Sequence, residues 1–301
     1  MNVIKEIERL KKERNAIILA HYYQPGEIQE IADYVGDSYY LSKTAQQSEA
    51  DYIVFCGVEF MAESAKILSP EKRVFIGNVN SNCNMVDEFL NEELEDLMKK
   101  NPDAAVVSYI NSSTEIKTMS HACCTSSSAL DIVNNIESDK IIFVPDKNLG
   151  GYIAAQCPDK EVILGSGKCC VHDNVRAKEV KTLMEKYPHA KVLVHPESQK
   201  DVRDLADFIG STGQILNHAT VSEDDEFIIV TEVGIRFALD EKTENKSFYF
   251  PDMVCGGMKR TSIDDVYRCL RFEENEIQLD VEMSNKAAEA LENMIKLAEK
   301  R

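Results

Sequence analysis

The chain has 301 residues and carries 52 acidic against 34 basic side chains, for a formal net charge of −18. A chain of this length can bury a core without disulfide staples. The acidic excess argues against nucleic acid or an anionic membrane surface as its main partner, because both select basic faces. Anionic small molecules stay open, since a local site can be positive inside a negative field. No apolar run reaches the roughly 18 residues of a membrane span. The opening MNVIKEIERLKKERN is charged with both signs and has no apolar stretch of the secretory kind. It predicts an amphipathic helix with Ile4, Ile7 and Leu10 on one side. The expectation is a cytoplasmic protein with no membrane and no nucleic-acid partner, whose nine cysteines are thiols or metal ligands rather than a disulfide framework.

Laid against itself, the sequence shows a repeat of about 86 residues. In the first copy AIILAHYYQ (16–24) reads as a short buried parallel strand with a polar tip. Ile28, Ile31 and Val35 follow with the spacing of one helical face. Then come Ser38 before a second helical stretch, DYIVFCG (51–57) as a strand, and RVFIG as a last strand leading to Cys83. VDEFLNEELEDLMKK predicts an acidic connecting helix. The second copy runs through AVVSYINSS (105–113), Ile116 and Met119, Ser126, KIIFVPD (140–146) and EVILG to Cys169. The third runs through KVLVHPESQ (191–199), Val202, Leu205 and Ile209, Ser211-Thr212, EFIIVTE (226–232) and SFYFP to Cys255. The tips His21, Tyr109 and His195 are 88 and 86 residues apart, and the three cysteines 86 and 86.

Each copy therefore reads β-α-α-β-α-β with parallel strands. The predicted fold is α/β: three α/β/α sandwich domains with small parallel sheets, related by a pseudo-threefold axis around a central site. Their spans are 1–86 with the N-terminal helix, 87–172 and 173–257, followed by a helical extension over 258–301. Ligands of parallel sheets gather outside the carboxyl ends of the strands, which is where the polar tips and the cysteines fall.

No C-x-x-C pair occurs, which removes the local signatures of zinc ribbons, dithiol redox sites and ferredoxin-type clusters. Cys56, Cys123, Cys124, Cys157, Cys170 and Cys269 read as small hydrophobes. Cys83, Cys169 and Cys255 hold one equivalent place and leave two readings open, buried thiols or metal ligands. As ligands, three soft thiolates match three corners of an iron–sulfur cubane, leaving the fourth iron as a Lewis acid.

The motifs AHYYQ (20–24), GDS (36–38), SYINSS (108–113), TSSSA (125–129) and FVPDKNLG (143–150) continue with GKCCVH (167–172), HPES (195–198), ADFIGSTGQI (206–215), TEVGI (231–235) and CGGMKRT (255–261). In this order they resemble the quinolinate synthase family, from Ala16 to about Thr261. The resemblance implies three α/β sandwiches around a [4Fe-4S] cluster held by Cys83, Cys169 (in preference to Cys170) and Cys255. It also implies condensation of iminoaspartate with dihydroxyacetone phosphate to quinolinate, with loss of phosphate and two waters, in the route to NAD. An aspartate-oxidising enzyme is the implied source of the imine. Two departures stand out: Ser198 replaces the cysteine of the common HPEC, and Asn84 and Cys170 stand where relatives often have proline. An iron–sulfur hydro-lyase and an iron–sulfur electron carrier share parts of this thiolate logic. The motif order argues against the first, and the His, Tyr and Ser around the thiols against the second.

Under this resemblance the substrate-binding residues are His21, Ser38, Tyr109, Ile110 through its backbone, Asn111, Ser126, His195, Pro196, Glu197 and Thr212. Ser38, Ser126 and Thr212 stand ahead of helices, where free N–H groups and a hydroxyl make an anion seat. His195 and Glu197 are the expected general acid and base, and Tyr23 the proton donor or acceptor in dehydration. His172 is a candidate to orient Cys169 or touch substrate, and Met258 to pack near the cluster.

Overall fold

The computed structural model describes residues 3–300; Met1, Asn2 and Arg301, at the ends of the predicted outer spans, lie outside the described residues. Short apolar runs form three four-stranded sheets in which every neighbouring pair is parallel. The first sheet has order β2-β1-β3-β4, with β1 Ala16–His21, β2 Tyr34–Gly36, β3 Tyr52–Cys56 and β4 Arg73–Ile76. The second has order β6-β5-β7-β8, with β5 Ala105–Tyr109, β6 Ala122–Cys124, β7 Lys140–Val144 and β8 Glu161–Leu164. The third has order β10-β9-β11-β12, with β9 Lys191–Val194, β10 Phe208–Ile209, β11 Glu226–Val230 and β12 Ser247–Tyr249. Helices cover the sheets, so the central strands are buried on both faces, which is why they read as unbroken apolar runs.

The second strand of each sheet departs from the expected β-α-α-β-α-β order. The helices after the first strands stop at Ile31, Thr118 and Arg203, and Val35 and Ile209 belong to strands, not to a helical face. One apolar residue four positions past the preceding one, as Val35 is past Ile31 and Ile209 past Leu205, has the same spacing as a further helical turn. A local pairing decides the matter. The side chains of Asp33, His121 and Asp207 each accept the amide of the first strand, from Ile18, Val106 and Val192, at 2.8 Å. Their own amides return to the carbonyls of the same three residues. The chain is thereby turned alongside the first strand.

Strand pairing also corrects one alignment by a residue. Ala20, Ser108 and Val194 pair with Cys56, Val144 and Val230, so Val58, not Gly57, is the counterpart of Asp146 and Glu232. The connecting segment is two helices, Asn84–Glu88 and Asn91–Lys100. Phe89 is extended between them and enters the apolar cluster of Val106 and Ile142.

A third set of equivalent residues stiffens the helices that start at the site. Lys72, Lys160 and Lys246 each direct the ammonium group at the C-terminal carbonyls of the helix after the second strand, meeting Ser48, Ile136 and Ser222 respectively. A cation there offsets the negative helix end. Outside the repeat, the N-terminal helix Val3–Arg14 packs on Ile263–Phe272, burying Ile7 and Leu10 while Ile4 is 43% exposed. The C-terminal helix Val281–Ala298 lies across Glu59–Leu68, Thr114–Thr118 and Ala129–Asn135, bridging the first two sheets' layers. Among the described residues no helix is long and apolar enough to cross a membrane.

Lys72 is buried, and Lys72→Met removes its hydrogen bonds to Ala45 and Ser48. The expected cost is about 1–2 kcal/mol, read as a lower urea midpoint at unchanged slope. An unchanged midpoint would show that those carbonyls need no cation.

Candidate active site

The carboxyl ends of the three sheets meet at one enclosed cavity. Cys83, Cys169 and Cys255 line it together, as do His21, Tyr23, Ser38, Tyr109, Asn111 and Ser126, and also His195, Glu197 and Thr212. Of the expected substrate-binding residues, Ile110 is buried in the core without lining the cavity, and Pro196 lines a neighbouring outer cleft instead. His172 and Met258 line the cavity.

The strand tips build the polar wall by one local rule. In His21-Tyr22-Tyr23 and His195-Pro196-Glu197 the histidine Nδ1 accepts the amide two residues on, at 3.1 and 3.3 Å. The acceptor role of Nδ1 places the ring proton on Nε2. Burial, joined by Lys259 for His21 and by His172 for His195, holds both imidazoles down to about 3 from the ordinary 6.5, so they are neutral N–H donors near pH 7. Ser38 and Thr212 open the helices Ser38–Gln47 and Thr212–Val221. The preceding residues, Asp37 and Ser211, cap these helices through Tyr40 and Gln214, so capping is not the task of Ser38 or Thr212. Among the described residues no lysine or arginine lines the cavity; Lys259, on the Cys255 turn, is tied at 3.0 Å to Glu232, which does.

Glu197 is buried, and its Oε2 accepts His172 Nδ1 at 2.8 Å. His172 Nε2 meets Thr231 Oγ1 at 3.0 Å, Thr231 meets the Tyr23 hydroxyl at 2.7 Å, and Tyr23 meets Thr212 Oγ1 at 2.6 Å. Thr212, Tyr23, Thr231, His172 and Glu197 are joined in one unbroken row of hydrogen-bonding groups. A proton taken from Tyr23 thus has a continuous path to Glu197. Burial opposes ionisation of Glu197, but His172 beside it, with His195 and the Tyr109 hydroxyl, holds the carboxyl down to about 2. Burial and the Glu197 charge push the Tyr23 phenol well up, so it rests protonated. Glu197 Oε1 and Asn111 Oδ1 are buried without a partner among the described residues. Buried acceptors of this kind await a donor or a metal.

The three thiols share a second local rule. Each thiol has a backbone amide three positions on, that of Val86, His172 and Met258 respectively, which opposes the effect of burial. Such amides favour the thiolate, whereas burial pushes all three thiols up, that of Cys83 to about 12. Metal coordination reverses that balance. A single ion would hold three thiolates within roughly 4 Å of one another, from metal–sulfur bonds of about 2.3 Å. These sulfurs form no group within 4.8 Å; Cys169, His172 and Glu197 do. Three soft donors converging on one cavity with wider spacing fit a multi-iron cluster, in which each thiolate takes its own iron.

A family model described as "NadA: Quinolinate synthetase A protein" matches residues 5–296. Quinolinate synthase of Clostridium perfringens strain 13 is 51% identical over 299 residues, covering 99% of each chain. That of Clostridioides difficile strain 630 is 51% identical over 296 residues, covering 98% of this chain and 97% of the relative. That of Sulfurihydrogenibium sp. strain YO3AOP1 is 48% identical over 303 residues, covering 98% of each. The chain belongs to the quinolinate synthetase A family. It is an enzyme of that family, and the motifs that carry the resemblance all lie within the matched span.

In this quinolinate synthetase fold, sequence reasoning missed Asp37, Val58, Phe60, Thr125 and Glu232 in the lining and Thr231 behind Tyr23. Asp146 and Glu232 carry a usable signal, being 86 residues apart at the same distance before Cys169 and Cys255. Thr231 carries none, because its value comes from meeting Tyr23 of another sheet.

Buried neutral histidines set an acid limit. From about pH 6.5 down to about 3, the unfolded chain binds protons that folded His21 and His195 refuse. Stability is therefore full above 6.5 and falls as the pH drops through this window. His21→Gln is expected to flatten the plot of unfolding free energy against pH there, by urea titration; an unaltered slope would show that His21 is not held neutral.

Proposed function

We propose that the protein condenses iminoaspartate with dihydroxyacetone phosphate to quinolinate, releasing phosphate and two waters, for NAD biosynthesis in the cytoplasm. The observation that carries this reading is one cavity lined by Cys83, Cys169, Cys255, Tyr23 and Glu197. The balance of atoms needs no oxidant. It needs one carbon–carbon bond, one carbon–nitrogen bond, and proton traffic at several carbons and hydroxyls. An aspartate-oxidising enzyme is the class of partner that supplies the imine.

Cys83, Cys169 and Cys255 would hold a [4Fe-4S] cluster, which when bound supplies a Lewis-acidic iron able to polarise a carboxylate or hydroxyl. The polypeptide does the remaining work. His21 and His195 donate Nε2–H to anionic oxygens without carrying charge. Tyr109 and Asn111 present a phenol and an amide to carboxylates, and Ile110 holds that tip. Ser38, Ser126 and Thr212 seat the phosphate with the first-turn amides of their helices. Glu197, ionised and with Oε1 free, takes a proton from carbon. His195 acts on a leaving oxygen as an uncharged acid, by hydrogen-bonding its Nε2–H to it. Tyr23 gives its proton to a departing hydroxyl or receives one, and the hydrogen-bonded path through Thr231 and His172 links it to Glu197. Pro196 stiffens the tip between His195 and Glu197. The three similar units would follow the spans 1–86, 87–172 and 173–257, with 258–301 as a helical extension.

Tyr23→Phe is expected to lower quinolinate formation by about 10²–10⁴-fold while leaving cluster absorption unchanged. Full turnover in that variant would remove Tyr23 from the chemistry. Cys83→Ser, Cys169→Ser and Cys255→Ser should each lose bound iron and sulfide after anaerobic reconstitution, whereas Cys170→Ser should keep them. Iron lost in Cys170→Ser would displace the ligand register by one residue.

A further inference from the structure

The three cysteine corners are built alike up to a point and then differ. In each, an amide just after the third strand, at or shortly before the start of the next helix, donates to the carbonyl two residues before the cysteine. These pairs are Glu59 to Ser81, Lys147 to Gly167 and Val233 to Met253, all at 2.9 Å. The second and third corners add a carboxylate that grips the cysteine itself. Asp146 Oδ2 accepts the Cys169 amide at 2.9 Å while its Oδ1 accepts Asn148 and Leu149 at 2.8 and 2.7 Å. Glu232 Oε1 accepts the Cys255 amide at 3.1 Å while its Oε2 accepts Gly234 at 2.7 Å and Lys259 at 3.1 Å. Both carboxylates are fully buried.

The first corner has Val58 at that position, with no acceptor to offer, and among the described residues no side chain accepts the Cys83 amide. Its loop is also longer. Phe75, Ile163 and Tyr249 are equivalent in strand register, yet Cys83 lies eight residues beyond Phe75 while Cys169 and Cys255 lie six beyond theirs. All three cysteines are half-buried.

We infer that Asp146 and Glu232 are positioning residues that pre-set the Cys169 and Cys255 corners, and that Cys83 is the corner that releases metal first. This rests on the three thiols being cluster ligands. A fixed amide keeps the cysteine turn in its ligating shape after the metal bond breaks, so the thiolate rebinds before it is trapped. One hydrogen bond of ordinary strength changes such a balance by about two- to tenfold.

The test uses the anaerobically reconstituted holoprotein, with iron and sulfide content and absorbance recorded first. It is then held with EDTA and iodoacetamide, and alkylation at each cysteine is followed over time by peptide mass spectrometry. Cys83 is expected to be modified about two- to tenfold ahead of the others. In Asp146→Asn the remaining oxygen keeps the Asn148 and Leu149 caps, while the new NH2 faces the Cys169 amide, donor against donor. Cys169 is expected to draw level with Cys83, and Cys255 to stay behind. A merely structural loss would speed all three alike and would overturn the positioning role. Wild-type protein that holds a cluster yet releases Cys169 or Cys255 first, or all three together, overturns the inference alone. A protein that takes up no cluster overturns the reading of the site and the inference with it.

Discussion

One recurring backbone hydrogen bond carries the geometry of the site. At or just before the start of the helix that follows each third strand stands an amide with no partner inside that helix. In all three sheets that amide is spent on the carbonyl two residues before a cysteine. It joins the end of the third strand to the loop after the fourth, so the thiol cannot drift from the sheet's carboxyl edge. Glycines then let the corners close on one another. A Cβ at Gly257 would sit 2.1 Å from the Asn82 carbonyl of the Cys83 loop, and one at Gly234 would meet the Tyr23 backbone at 2.7 Å. The third sheet's turns therefore abut the first sheet's tips with no side chain between.

The electrostatics follow from that closeness. The protein carries a net charge of −18, and among the described residues its cavity wall has no lysine or arginine to offset it. Neutral imidazole N–H groups, hydroxyls and helix amides replace the cations. In a site shut off from water such fixed dipoles act through a low effective dielectric and need no reorganisation as charge develops. They also leave Glu197 ionised and Tyr23 protonated, because no competing ammonium group lies in the wall. Lys259, on the Cys255 turn, is spent on Glu232 and the Tyr23 carbonyl, where it ties a cysteine turn to the tip of the first strand.

Much of this was legible in the residues. The spacing of His21, Tyr109 and His195 and that of the cysteines marks equivalent strand ends, and such ends face a common ligand site. The first and third strands of each sheet were readable because both faces are buried, and the fourth because each is a short apolar run ahead of a cysteine. The second strands were not, since two or three residues show no period and Val35 and Ile209 mimic a helix face. The one-residue shift that puts Val58 opposite Asp146 and Glu232 emerged only from pairing, because apolar runs of equal character slide past one another without penalty in a text comparison.

The amino-acid sequence by itself determined that the chain builds parallel α/β units in triplicate and which cysteines and strand tips are equivalent, because strand burial and helix periodicity are local properties that repeat with the residues. Only the tertiary structure decided that Tyr23 of one sheet reaches Thr231 and His172 of the others, that Pro196 turns outward, and that two cysteines are gripped by carboxylates while Cys83 is not. Those contacts join residues up to about two hundred positions apart, such as Tyr23 and Thr231 across 208. Their partners are set by how the sheets pack, which no local pattern encodes.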